Sequence, residues 1–241
     1  MKVTSYIGNK IARFPNGYVF SYNDFVQETS KTEAIIKALN RMANAGKIEK
    51  LSKGRYYKPE ATVFGNLQPA QYQIVKDLLE EDGKVIGYLT GFSIYNQLGL
   101  TTQVSNIIQI GRNDVRPMFK RERYNISFMR QKNIITKSNI PLLQILDAIR
   151  YIKKIPDAST KESIKRLLSI VKDLSDTNKK NMVNLALKYP PATKSLLGAM
   201  LEEVGTFTLI EPLRKTLNPI TSYKFSGVDK VLSTTAKWNI K

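Results

Sequence analysis

Neither cysteine nor histidine occurs among the 241 residues, and that double absence constrains how such a chain can hold itself together. With no disulfide and no zinc-binding set available, a folded state must rest on apolar burial, hydrogen bonds and ion pairs. A composition of 42% hydrophobic and 24% charged residues is that of a globular chain able to bury such a core. The same absence removes imidazole metal sites and Ser-His or Cys-His nucleophile pairs. Catalysis would fall to carboxylates, lysine, hydroxyls or tyrosine.

Against 20 acidic side chains stand 38 Lys and Arg, leaving a formal +18. This surplus exceeds what solubility asks for and calls for a polyanionic partner, nucleic acid before an acidic membrane face. Residues 1–60 carry +6, residues 61–150 carry +4 and residues 151–241 carry +8. No run of five like charges occurs, so the cations belong to folded faces rather than to a tail. Repeats and low-complexity stretches are absent. The start Met1-Lys2-Val3-Thr4-Ser5-Tyr6 lacks the apolar core of a signal peptide. No window approaches the roughly 18 apolar residues of a membrane span, so a cytoplasmic protein is expected.

The first sixty residues alternate short helices with turns. A helix over Val3 to Arg13 ends before Phe14-Pro15-Asn16-Gly17, and Ser21 can cap a short helix through Tyr22-Asn23-Asp24-Phe25-Val26. Ser30-Lys31-Thr32-Glu33 has the form of a capping box, and the helix behind it runs to Ala45 and stops at Gly46. Ile35, Leu39 and Met42, with Ala38 and Ala45 beside them, form its buried stripe. The opposite face carries Glu33, Lys37, Asn40 and Asn44, with Lys31, Thr32, Ile36 and Arg41 at its margins. Asn can bond adenine bidentately, Lys or Arg can reach guanine or phosphate, and Ile36 can meet a thymine methyl.

Next, Lys47-Ile48-Glu49-Lys50-Leu51 alternates with period two, Ser52-Lys53-Gly54 turns, and Arg55-Tyr56-Tyr57-Lys58 returns before Pro59. Two close helices followed by a basic hairpin predict a winged helix-turn-helix, with Lys50, Lys53 and Arg55 as wing contacts to phosphate.

Beyond Ala61 to Gln68, read as a connector, a helix opens at Pro69-Ala70-Gln71 and runs to Asp82-Gly83. A strand at Lys84 to Tyr88, a short helix over Gly91 to Leu100, and strands at Asn106 to Ile110 and Tyr124 to Met129 follow. From Pro141 the pattern is helical: Leu142 to Ile152, Lys161 to Leu174, Lys179 to Lys188 and Pro191 to Val204. The expected fold class is α+β: a winged helix-turn-helix at 1–62, then a larger domain at 63–241, mixed α/β over 63–135 and mainly helical over 136–241.

Gly91-x-x-x-Tyr95-Asn96-Gln97-Leu98-Gly99-Leu100-Thr101-Thr102-Gln103, together with Gly54-Arg55-Tyr56-Tyr57-Lys58-Pro59, resembles the AbiEi antitoxin family of type IV toxin-antitoxin systems. The stretch from Pro190-Pro191 to Glu202 and Leu217-Asn218-Pro219 are similar to an AbiEi-like branch described as a domain of unknown function. The resemblance implies a winged helix that represses its own operon through promoter inverted repeats. It further implies protection against a nucleotidyltransferase-type toxin without a stable antitoxin-toxin complex. The partners it points to are double-stranded DNA and that cognate toxin, with no membrane, no cofactor and no metal, and with the chain a monomer or weak dimer.

Other readings stay open. No Gly-x-x-x-x-Gly-Lys-Ser/Thr loop, no Gly-x-Gly-x-x-Gly and no Gly-Ser followed by Asp-x-Asp is present, so no enzyme is expected and the toxin half is excluded. Pro59-Glu60 with Asp82-Gly83-Lys84 faintly matches magnesium-dependent nucleases. A winged-helix regulator unconnected to any toxin is a further alternative. So is RNA binding or scaffolding by the basic C-terminal part, for which Arg121-Glu122-Arg123-Tyr124 and Lys153-Lys154 are partial matches.

Overall fold

A computed structural model describes residues 3–26 and 32–241. Ser30 and Lys31 lie outside these, so the capping box and the Lys31 contact are not described. The chain divides into two compact units, Met1–Asp77 with Lys120–Arg123, and Leu78–Phe119 with Tyr124–Lys241.

In the first unit α1 (Val3–Ala12) buries Ile7 and Ile11, one helical turn apart. After the turn at Gly17, whose φ of 74° suits glycine, come β1 (Val19–Ser21) and α2 (Asn23–Val26). The Ser21 hydroxyl accepts from the Asn23 amide at 3.2 Å, while Asp24 takes the Ser21 amide at 2.8 Å. α3 (Thr32–Asn44) buries Ile35, Ala38 and Leu39, with Met42 half-buried. The chain then turns at Gly46, whose φ is 69°. Ala45 lies beyond the helix and is exposed rather than in the stripe, because the helix closes one residue earlier.

β2 (Glu49–Ser52) and β3 (Arg55–Tyr57) form the expected hairpin around Gly54. β1 adds a third strand in the order β1-β3-β2, with Val19 opposite Tyr57. Phe14, Phe20, Phe25 and Tyr56 fill the centre; the Phe20 ring meets Phe25 edge-on at 5.9 Å.

Where a connector was expected, β4 (Glu60–Thr62) and β5 (Gly65–Leu67) make a small hairpin. α4 (Gln71–Leu79) follows. The expected boundary at residue 62 thus falls inside the first unit, because α4 is tied to it: Gln73 accepts from the Val19 amide at 3.3 Å and the Lys76 ammonium lies 5.0 Å over the Tyr18 ring.

The second unit opens with β6 (Glu80–Glu81) paired to β7 (Lys84–Val85) around Asp82 and Gly83, at φ 48° and 74°. The strand expected at 84–88 is therefore two, since β8 (Gly87–Thr90) joins a different sheet. Then come α5 (Phe92–Tyr95), β9 (Ile107–Arg112) and β11 (Tyr124–Arg130), with β11, β9 and β8 neighbours in that order; β10 (Phe119–Arg121), between β9 and β11 in the chain, has its last two residues in the first unit. β11 runs parallel to β9 with Ile126 beside Ile108, and β8 is antiparallel to β9. Opposite Tyr88 stands Gly111; a Cβ there would come within 2.4 Å of the tyrosine ring, so glycine makes room for it.

Helices α6 (Ile140–Arg150), α7 (Thr160–Lys172), α8 (Asp176–Ala186), α9 (Pro191–Glu203) and α10 (Glu211–Lys215) complete the unit. α9 is its axis: every residue from Thr193 to Glu202 is buried, as befits a helix surrounded on all sides. Trp238 seals it, its ring lying where any Cβ on Gly198 would stand. The Trp238 indole donates to Glu202 at 2.7 Å, and Lys237 and Arg214 pair with the same carboxylate at 2.7 and 3.0 Å. Burial pushes the Glu202 carboxyl up, but these donors outweigh it and hold it below the usual range. The molecule is thus mixed α and β with small sheets. Among the described residues no helix is long and apolar enough to cross a membrane.

Candidate nucleic-acid interface

α3 separates its faces as its periodicity demands. Ile35, Ala38 and Leu39 point into the core, while Ile36, Lys37, Asn40, Arg41 and Asn44 are exposed and Thr32 is half-exposed. Among the described residues the one ion pair along this face, Lys37 with Glu33 at 3.9 Å, joins two side chains 76% and 90% exposed, so water screens it and Lys37 is readily given up to another anion. Asn40 and Arg41 are engaged by hydrogen bonds. The Tyr56 hydroxyl donates to Asn40 Oδ1 at 2.6 Å, tying helix to hairpin. Asn40 therefore offers its amide donor more readily than the bidentate pair an adenine would take. Arg41 donates to the Thr4 hydroxyl at 3.3 Å, a neutral and exposed contact.

On the hairpin, Lys50 and Lys53 are exposed, and neither forms an ion pair among the described residues. Arg55 is different. Its guanidinium makes a bidentate pair with Asp77 at 2.8 and 2.5 Å, and Arg121 grips the same carboxylate at 2.8 and 3.1 Å. Burial raises the Asp77 carboxyl, but the two guanidinium groups overcome it and hold the pKa below the ordinary aspartate value. Arg55 is thus a strut between β3 and α4, its guanidinium engaged by Asp77 rather than held out as Lys50 and Lys53 are. Nothing in local spacing joins Arg55 to Asp77, 22 residues later, or to Arg121.

The nuclease alternative rests on Glu60, Asp82 and Lys84. Glu60 is exposed in β4, Asp82 occupies a hairpin turn, and no group of three acidic side chains is placed to hold a metal among the described residues.

Part of the longer word that carries the family resemblance is packing, while Asn96, Gln97, Thr102 and Gln103 are exposed. Gly91 adopts φ 55° and ψ −129°, a conformation that strains any residue with a Cβ, and a Cβ there would collide with Gln109, whose side chain accepts from the Phe92 amide at 2.9 Å. Tyr95 and Leu100 are buried, and Gly99 turns the chain at φ 68°.

A polar group that pattern reading missed lies inside the second unit. Asp147, on α6, accepts from Thr90, Tyr88 and Tyr189 at 2.8, 2.8 and 2.9 Å. Gln131 donates to both tyrosine hydroxyls and accepts twice from Asn133. Burial pushes Asp147 above its ordinary pKa against the three hydroxyl donors, and likewise raises Tyr88 and Tyr189. Its members lie far apart in sequence, and a lone Asp within an apolar helix was the only signal available.

Residues 6–203 match a family of unknown function, DUF6088. No curated protein matches the chain. The crystal structure of the RV2827C protein from Mycobacterium tuberculosis is similar in fold, with a TM-score of 0.59 at 13% identity, covering 92% of this chain and 83% of that one.

Proposed function

We propose, for a chain that belongs to the DUF6088 family of unknown function, that the first unit is a winged helix-turn-helix that binds double-stranded DNA. α2 and α3 are the helix pair, α3 the groove-reading helix, and the β2–β3 hairpin the wing. The observation that carries this reading is the shared exposure of Lys37, Asn40, Arg41 and Asn44 on α3 with Lys50 and Lys53 on the hairpin, neither lysine ion-paired among the described residues. Groove-reading side chains supply sequence preference, and the wing cations supply salt-dependent affinity. Thr32 and Ile36 stand at the margin of the reading face.

In its fuller form the proposal is a cytoplasmic antitoxin that acts by binding rather than catalysis. It represses its own operon at promoter inverted repeats and counteracts a nucleotidyltransferase-type toxin without a stable complex. The resemblance of residues 54–59 and 87–104 supports that form. Gel-shift titration of the full chain on DNA from upstream of its own gene tests the DNA reading: retardation that survives excess unrelated duplex is expected, and absence of any shift at low salt overturns it. Co-expression with the adjacent gene tests the antitoxin reading, which requires rescue of growth by the full chain.

A further inference from the structure

The second unit holds a cationic groove that the DNA reading does not use. One cavity, of about 300 Å³, is lined by Arg130, Lys132, Arg150 and Lys188 with Gln131 and Tyr189. A second, of about 330 Å³, is lined by Arg150, Lys153, Lys154 and Lys224 with Tyr151 and Tyr223. Arg150 belongs to both, and so does the start of α9: Pro190 and Pro191 line the first and Ala192 and Thr193 the second. Seven cations thus line two cavities that share Arg150, and those linings contain no carboxylate. None of the seven forms an ion pair among the described residues.

A surface lysine ordinarily sits near an acid or in open solvent. Asp147, buried behind the wall, acts on the Arg150 charge, but no acid stands in the linings themselves, and cations gathered there repel one another at a cost that is relieved when an anion enters. The walls are also firm. Tyr189 is anchored to Asp147 and Gln131, and Arg150 and Lys154 lie 5.0 and 5.5 Å from the Tyr151 ring, so the cations are set against an aromatic surface. Two cavities at the small end of ligand pockets, cationic and rimmed by tyrosines, suit a compact polyanion with an aromatic part. A DNA duplex is too broad to enter either.

We propose that this groove binds a nucleoside di- or triphosphate, its phosphoryl groups bridged by Arg150 and its base set against Tyr151 or Tyr223. Lys188 and Lys132 complete the phosphate side in one cavity, and Lys153, Lys154 and Lys224 in the other. The site stands whether or not the first unit binds DNA.

Isothermal titration of the full chain with ATP, GTP, CTP and UTP, with inorganic tripolyphosphate and with a dT8 oligonucleotide tests this. At least one nucleotide should bind one-to-one and more tightly than tripolyphosphate. Arg150→Ala should weaken it at least tenfold, Arg150→Lys less, and Lys37→Ala on α3 not at all. Arg150 is exposed, so its truncation should leave the thermal melt in place; if the melt shifts, the Lys154→Ala/Lys188→Ala pair must give the loss instead. No nucleotide binding, binding by tripolyphosphate or dT8 alone, or binding indifferent to these changes overturns the proposal.

Discussion

Two glycines show how closely individual positions are specified. Gly91→Ala places a Cβ at positive φ and against the Gln109 side chain, and Gly198→Ala places one inside the Trp238 ring. Each should cost at least about 2 kcal/mol, read as a Tm lowered by several degrees. An unchanged melt for either would contradict the packing described. On α3, Lys37→Ala should weaken binding to the native promoter by about 1 to 3 kcal/mol and narrow the gap to unrelated duplex, as measured by competition gel shift. The exposed face of α3 was legible because helical periodicity alone sorts Lys37 from Ile35. Arg55 was not, because its role depends on Asp77 and Arg121, which only the folded chain brings beside it.

At the scale of elements, the long helices α6 to α9 and the β2–β3 hairpin were readable, since periodicity and turn chemistry are local. β1, β4, β5 and β10 have three residues each, too few to show alternation, and the partners that make them strands lie elsewhere. The Asp77 link between β3 and α4 makes a prediction of its own. Asp77→Ala leaves Arg55 and Arg121 facing each other without their shared carboxylate, and should cost about 1.5 to 3 kcal/mol in urea denaturation. Below the pH at which Asp77 protonates, native and variant should converge, because a lowered folded pKa gives stability that is lost on acidification. A constant difference at all pH values would remove the ion pair from the account.

For the whole molecule, the opening absence of cysteine and histidine has a structural answer: the second unit is held by α9, by Trp238 and by a satisfied polar network around Asp147. Because burial raises the Asp147 pKa above the unfolded 3.8, its contribution to stability is full below that value and is lost as pH rises through the folded pKa. Asp147→Asn cannot ionise, so its deficit relative to the native chain should shrink as pH rises, measured by urea denaturation from pH 4 to pH 8. A deficit that widens with pH would reverse the assignment. In the proposed reading the charge surplus divides between a face for DNA and a groove for a smaller anion. The first of these is the central claim, and its most direct test is the salt dependence of binding to promoter duplex. Lys50→Ala and Lys53→Ala should each lower the slope of log K against log salt by about 0.9, while Arg55→Ala, its side chain held by Asp77, leaves it unchanged. Equal slopes for the native chain and both lysine variants, or a loss of slope confined to Arg55→Ala, would contradict the account.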